Sequence, residues 1–466
     1  MIKKRNKLYI FIFITFFLVF FTLQKIFNIK PNQYVHDVST YYNISKSLFI
    51  NNRFSLLTIE NDFRGFVFPV YLFISNFFNW LFNIDTSFYF VSSLVLSVLF
   101  CVYLYLFVEL FVDEGYKSIN VYVRSIIMIA MIIFFFYGLV IWPFTDLYAA
   151  LLSLIAGMLI LYINKKNKNK FRYVVYFISG VLIYFTYNIR TIYQVQIISV
   201  IFLILIYEIK TKKIKNTISS ILCYISGVLI ASIPQIIINF DKYRLLSIWL
   251  NNQNLFVFQL NWGLRFSRYA TYIGDAHKYY YPEMYFFDWT GMKIAEQWEI
   301  LENPLTIKSY ILLFFKYPIE YIKVFIKHVV NAIFILFPEQ YVQNIDKNLL
   351  IYGVISVIVV FLFILIFFVM LNNKKIILSK VVFWVLMILP SLMILFGAVE
   401  ERFLVLIYIV VYSYICFFDY SSLKKYINRT NVILVLVLFI IFFILAFNIE
   451  SRILANLNGH PLYFLK

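Results

Sequence analysis

The sequence predicts an all-α integral membrane protein, a bundle of about eleven transmembrane helices with two large outer loops containing juxtamembrane helices. Three observations carry the membrane reading. Apolar residues make up 63% of the chain and charged residues only 14%, whereas ordinary globular domains carry about 45–50% and about 25%. Apolar runs long enough to cross a hydrocarbon core, about 17–25 residues, recur from end to end. The net charge of +18 is gathered in short loops between those runs, as expected of cytoplasmic loops facing anionic lipid rather than of a nucleic-acid binder.

The first run, Leu8 to about Phe27, is too long for a signal-peptide core and lacks a small-residue cleavage site, so it reads as a retained anchor. Further spans are expected over 87–111, 125–142, 146–163, 172–188, 190–208, 217–239, 349–371, 378–397, 402–418 and 430–448. Basic residues cluster before the first span (Lys3, Lys4, Arg5, Lys7), in the loop 162–172 and in the loop 207–217. They cluster again at Lys374, Lys375 and Lys380, and at Lys424, Lys425 and Arg429. Cationic loops stay inside. The N-terminus is therefore expected in the cytoplasm, with the C-terminus and the turns near 143–145, 189 and 398–401 outside. Counting 66–83 as a span would invert the lysine loops that follow it, so it reads as a juxtamembrane or re-entrant helix. The stretch 321–338 sets Glu320, Lys323, Lys327 and Asn331 on one face against Ile322, Phe325, Ile326, Val329 and Ile333, the pattern of a helix in the interface plane. One polytopic domain, 1–466, then carries two extracytoplasmic loops, 29–86 and 240–348.

Several classes are disfavoured. Cys101, Cys223 and Cys416 all fall within apolar spans, without metal-ligand or disulfide spacing. Neither G-x-x-x-x-G-K-[ST] nor a helix-opening G-x-G-x-x-G is present, so no nucleotide site is indicated. A transporter would be expected to show polar residues at mid-membrane, repeats and broken helices. Here the span interiors are nearly free of charge and the whole chain has 12 glycines.

The polar chemistry sits at the outer ends of the spans. Asp37 and Arg64 fall in the first outer loop, Asp146 opens a span after Trp142-Pro143-Phe144-Thr145, and Arg190 lies in a turn. Glu400, Glu401 and Arg402 precede the tenth span. Ionisable groups near hydrocarbon are costly and usually face a cavity or one another. Arginine's planar fork matches phosphate oxygens, and a partly desolvated carboxylate can act as general base. Each group also has a structural alternative: Asp37 and Asp146 as helix caps, Glu401-Arg402 as an ion pair, and Arg190 as an interfacial anchor. In the second loop, Asp275, His277, Glu283 and Asp288 could touch an acceptor or a divalent metal, though no ligand spacing is recognisable. The run Tyr279-Tyr280-Tyr281 could stack on sugar rings or lie in the aromatic belt.

In this order the chain resembles the polytopic glycosyltransferases of the GT-C fold, among them the protein O-mannosyltransferases and the bacterial aminoarabinose transferases that use polyprenyl-phosphate sugars. The resemblance rests on Asp37 with Tyr41 after the first span, Arg64-Gly65 before a Pro-aromatic helix, Thr145-Asp146, and Glu401-Arg402-Phe403. It departs in Val38, where the family often has a second acid, and in Arg190-Thr191, where many members have Lys-Gly. The resemblance implies inverting transfer of a sugar from a polyprenyl-phosphate donor to a glycan, lipid or protein acceptor on the outer face. Asp37 would be the general base, with Arg64, Asp146, Arg190, Glu401, Arg402 and Tyr41 binding substrate. No firm cofactor is implied beyond the donor lipid, and a divalent metal is left open. Richness in Ile, Lys, Asn and Phe suggests an AT-rich prokaryotic genome, and hence the plasma membrane. The alternatives are a polysaccharide polymerase or ligase, insensitive to Asp37→Asn, and a lipid-linked oligosaccharide exporter, with a polar path through mid-membrane.

Overall fold

The computed structural model describes residues 2–50, 53–59, 63–82, 87–112, 118–166, 171–209, 214–251, 255–272, 283–299, 306–342, 349–372, 378–421 and 429–458. The helices run α1 (Ile2–Phe27), α2 (His36–Ser47), α3 (Val67–Phe82), α4 (Ser87–Phe111), α5 (Ser118–Phe136) and a short α6 (Gly138–Ile141). They continue as α7 (Asp146–Lys166), α8 (Arg172–Ile189), α9 (Gln194–Ile209), α10 (Ile214–Tyr243), α11 (Leu255–Arg265) and α12 (Trp289–Glu299). Then follow α13 (Ile307–Lys316), α14 (Pro318–Ile333), α15 (Leu349–Asn372), α16 (Leu378–Met393), α17 (Val405–Phe417) and α18 (Arg429–Leu454). Short strands lie between them: β1 (Phe49–Ile50), β2 (Arg53–Phe54), β3 (Phe266–Tyr272), β4 (Glu283–Phe287), β5 (Tyr341–Val342) and β6 (Leu457–Asn458).

Among the described residues, seven helices are long and apolar enough to cross a membrane: α1, α4, α7, α9 with the 3-10 turn before it, α10, α15 and α18. The chain is thus a predominantly helical, membrane-embedded protein, but the expected eleven spans are not all present at full length. The apolar parts of α5 (Asn120–Phe136) and α16 (Lys380–Phe396, including a 3-10 turn) are shorter. Helix α8 is diluted by Arg172, Asn188 and its tyrosines. The span expected over 125–142 breaks because Gly138 sits under the Glu339 carbonyl, where a Cβ would overlap, and donates its N–H to Pro338 O at 2.9 Å. The span expected from 402 begins as a 3-10 turn, Glu401–Leu404, and becomes α-helical only at Val405. The chain is also not purely helical, because the segment 240–348 contributes strands to a sheet.

By contacts the chain forms two compact units. The first comprises Met1–Ala130, Leu139–Asn252 and Ile377–Pro390. Its centre is α7, buried along most of its length and packed by α4, α8 and α9. Lipid supplies no hydrophobic drive between helices, so close approach and buried polar contacts must hold them together. Helices α8 and α10 approach backbone to backbone: a Cβ on Gly180 would overlap Tyr224 O, and one on Gly227 would overlap Phe177 O. Helices α1 and α4 are joined through Gln24, whose Nε2 donates to Ser92 Oγ (2.9 Å) and whose Oε1 accepts from Ser93 Oγ (3.0 Å).

The two ends of this unit differ chemically. At one end, Lys165 Nζ donates to Glu109 O (2.7 Å) and Lys166 pairs with Glu109, so cations meet the C-terminus of α4 where its carbonyls are exposed. Arg172 pairs with the fully buried Glu208 at the same end. The 21 residues of α7 place its two termini about 30 Å apart. Its other terminus, with those of α2 and α8, carries the groups described below.

The second unit comprises Met131–Gly138, Gln253–Ile376 and Ser391–Lys466. Among its described residues is a mixed sheet in the order β5-β3-β4-β6, with β3 and β4 antiparallel (Tyr269 opposite Tyr285) and β5 parallel to β3. Strand β4 alternates as half-buried sheets do: Met284 and Phe286 point into the core, while Tyr285 and Phe287 lie on the outer face. Fully buried Arg268 ties the unit together. It donates to Asn331 O (3.3 Å) and Phe334 O (2.7 Å) at the end of α14, and pairs with Glu401 (3.3 Å) and Glu450 (3.2 Å).

Helix α14 differs from its expected orientation. Asn331, expected on a water-facing side with Lys323, is buried and donates to Ser267 O at 2.6 Å. Tyr321, Val324, His328 and Asn331 form the inward face, where Asn331 satisfies the Ser267 carbonyl of β3.

Candidate functional site

The first unit gathers five of the residues singled out in the sequence: Asp37, Tyr41, Arg64, Asp146 and Arg190. Asp37 lies in the first turn of α2, behind the N-cap Val35, whose side chain makes no capping bond. Its carboxylate is instead engaged by arginines. Arg64 Nη2 contacts Asp37 Oδ1, and Arg190 Nη1 lies 4.0 Å from Asp37 Oδ2. Arg190 Nη2 lies 2.6 Å from Asp146 Oδ1. Side-chain exposure grades across the cluster: 24% for Asp37, 21% for Arg64, 10% for Arg190 and 4% for Asp146. One edge therefore meets the surroundings, and the other is sealed.

Helix ends favour this arrangement. Asp37 and Asp146 occupy the N-terminal turns of α2 and α7, where exposed N–H groups favour negative charge. Arg190 is the C-cap residue of α8, its own N–H donating to Thr186 O at 2.9 Å, so its cation sits at the negative end of that helix. Two carboxylates and two guanidiniums balance one another, and a balanced cluster is far less costly to bury than any one of its members.

Uncharged groups hold the arginines in place. Asn188 Oδ1 accepts the Val67 N–H (2.8 Å), docking the segment after Arg64 onto the end of α8. Gly65 is required there, since a Cβ would overlap Asn188 O. Asn188 Nδ2 donates to Gln235 Oε1 (3.1 Å), and Gln235 Nε2 to Asn239 Oδ1 (3.0 Å). Asn239 Nδ2 then reaches the carbonyls of Ser247 and Trp249, both at 2.7 Å. Tyr41, one turn after Asp37, is buried, donates to Ile189 O (3.2 Å), and has the Arg64 guanidinium 5.1 Å from its ring centroid. His36, just before Asp37, has φ 48°, a left-handed conformation a non-glycine residue adopts only under constraint.

Glu401 and Arg402 belong to the second unit, and each is engaged there. Glu401 accepts the N–H groups of Leu336 and Phe337, both at 2.8 Å, and pairs with Arg268. Burial raises its carboxyl above the usual range, while Arg268 and the two N–H groups pull it down. Arg402 pairs with Glu400 (2.6 Å). Asp288 is the N-cap of α12, accepting from Thr290 N (2.9 Å) and Gly291 N (3.3 Å), and also holds Lys327 Nζ at 2.6 Å. Glu283 opens β4; Asp275, His277 and Tyr279-Tyr280-Tyr281 lie outside the described residues.

Sequence reasoning missed Asn188, Gln235, Asn239 and Arg268. The i, i+4 amides beside Pro234 in an otherwise apolar helix, and a lone arginine within strand β3, were the available signals.

The class these features define is a polytopic helical membrane protein with a balanced carboxylate–guanidinium cluster at the end of its first unit opposite Lys165, Lys166 and Arg172. Comparison with protein families, curated proteins and solved structures returned no match.

Proposed function

We propose that the protein is a membrane glycosyltransferase that moves a sugar from a polyprenyl-phosphate donor to an acceptor hydroxyl at the outer face of the plasma membrane. The observation that carries this reading is the partly exposed Asp37 carboxylate held between Arg64 and Arg190 at the end opposite the Lys165, Lys166 and Arg172 group. By the positive-inside rule that end faces outward, where a lipid-linked sugar would present its phosphate.

In the reaction, the acceptor oxygen attacks the anomeric carbon as the bond from that carbon to the phosphate oxygen breaks. Configuration inverts, the polyprenyl phosphate leaves with the bonding electrons, and the hydroxyl proton passes to the Asp37 carboxylate. A phosphate arriving at the exposed edge competes for the Arg64 fork, which suits phosphate as well as carboxylate. Transfer of that guanidinium to the phosphate frees Asp37 to accept a proton. Arg190, anchored by the buried Asp146, would stay in place and stabilise charge on the leaving group. Glu401 and Arg402 have structural partners and are assigned no chemical step.

The test is release of polyprenyl phosphate from a labelled polyprenyl-phosphate sugar by the purified chain. Release that depends on Asp37 supports the reading. Undiminished glycan assembly by Asp37→Asn would favour a polymerase or ligase, and vesicle-to-vesicle movement of intact donor would favour an exporter.

A further inference from the structure

Helices α13 and α14 are too short to cross a bilayer: their 10 and 16 residues span about 15 and about 24 Å against a hydrocarbon core of about 30 Å. They meet at Tyr317-Pro318, where proline opens α14 at its first position. Edge-to-face rings join them, Tyr310 and Phe314 lying 5.3 and 5.7 Å from Tyr321. Their inner face packs into the unit through Leu313 and Tyr321, against Leu264 and Ile294, and Val324 on the same face is buried.

The outer face of the pair is apolar too, which a helix lying against water would not be. Ile307, Ile311, Phe315, Ile319, Ile322 and Ile326 recur at three- or four-residue intervals, forming one stripe that continues through the bend. They are 45–73% exposed, Phe315 the most. Beside the stripe stand exposed Lys308, Lys316 and Lys323, with Lys316 Nζ 5.3 Å from the centroid of the Tyr317 ring. Lys327 is different, since its charge is matched by Asp288 within the unit. Glu320 is the acidic residue of the pair, so the surface carries a surplus of lysine.

We propose that α13 and α14 form a docking surface for an anionic lipid leaflet, the stripe resting at the boundary of headgroups and acyl chains and the three lysines reaching lipid phosphates. Buried apolar area supplies the adhesion, and the lysines select negatively charged headgroups. This does not depend on the proposed reaction.

The experiment uses the full chain with Cys101, Cys223 and Cys416 replaced by alanine and a spin label at Phe315→Cys or Ile319→Cys. It is reconstituted in phosphatidylcholine–phosphatidylglycerol vesicles at roughly seven to three, a composition that sets the surface charge. The expected result is collision with oxygen but little with a water-soluble nickel chelate. A fluorophore at the same position should be quenched about two-fold more by spin-labelled phosphatidylglycerol than by the choline lipid, as lysine-driven enrichment requires. Lys308→Gln, Lys316→Gln and Lys323→Gln together should bring that ratio to about one. Free access of the chelate, or spin–spin broadening from a second copy, overturns the proposal. An unchanged quenching ratio in the lysine variant overturns its headgroup selectivity.

Discussion

Arg190 Nη2 lies 2.6 Å from Asp146 Oδ1, joining the end of α8 to the start of α7 through a pair that is 10% and 4% exposed. Removing one partner of a buried pair exacts a desolvation cost that removing both does not. Asp146→Ala is expected to destabilise the first unit by about 3–5 kcal/mol, and Asp146→Leu combined with Arg190→Leu by distinctly less. Thermal unfolding in detergent for the single and double variants checks this. Additive losses would mean that the two side chains act independently.

Asp37→Asn keeps the size of the side chain and much of its contact with Arg64, but cannot accept a proton at neutral pH. Release of polyprenyl phosphate should fall about 10²- to 10⁴-fold with an unchanged melting temperature. Arg64→Lys should be a weaker lesion, because an ammonium keeps the charge and loses the fork.

Gly180→Ala should separate α8 from α10, since the new methyl meets the Tyr224 carbonyl directly. An overpacking cost of about 1–3 kcal/mol is expected, read as lower resistance to denaturing detergent. Gly227→Ala should act in the same direction from the other helix, and the two losses should not simply add.

His328 gives the second unit a pH dependence. It is buried, its Nδ1 lies 2.7 Å from Leu395 O, and burial lowers its pKa, with Asp288 and the nearby carbonyls opposing and Lys327 reinforcing the shift. The folded state therefore holds His328 neutral at pH values where the unfolded chain binds a proton. Its contribution is complete above the unfolded value of about 6.5 and declines by up to about 1.4 kcal/mol per pH unit below it, until the folded value is reached. The stability advantage of the parent chain over His328→Gln should shrink as pH falls from 6.5 to 5, read as converging melting temperatures; the buried Glu401, raised in its pKa, titrates in the opposite sense in both chains.

Hydropathy made the long spans α1, α4, α7, α10, α15 and α18 legible, because each is an unbroken apolar run. Hydropathy does not register the local interruptions at Gly138 and Glu401. The sheet was not legible: β3 pairs with β4 through a register shift between Phe266 and Arg268, and with β5 over residues some 70 positions away, so no local turn signal marks it. For the cluster, charge at span ends was a sufficient signal for Asp37, Arg64, Asp146 and Arg190. The amides Asn188, Gln235 and Asn239 carry no charge to draw attention, and their roles depend on which carbonyls the fold brings near.

Arg268 also sets a schedule for biosynthesis. Its two carboxylate partners are separated from it in the chain by more than a hundred residues, and Glu450 lies near the end of the last described helix. With translation adding about 5–20 residues per second, the guanidinium waits on the order of 10–40 s for its second counter-ion after emerging. During that interval a cation destined for a dry interior must stay hydrated, so β3 cannot close onto α14 until α18 has been delivered. A ribosome stalled before α18 should therefore hold a second unit that is still open to protease around β3, while the first unit, whose ion pairs are all encoded earlier, is already closed.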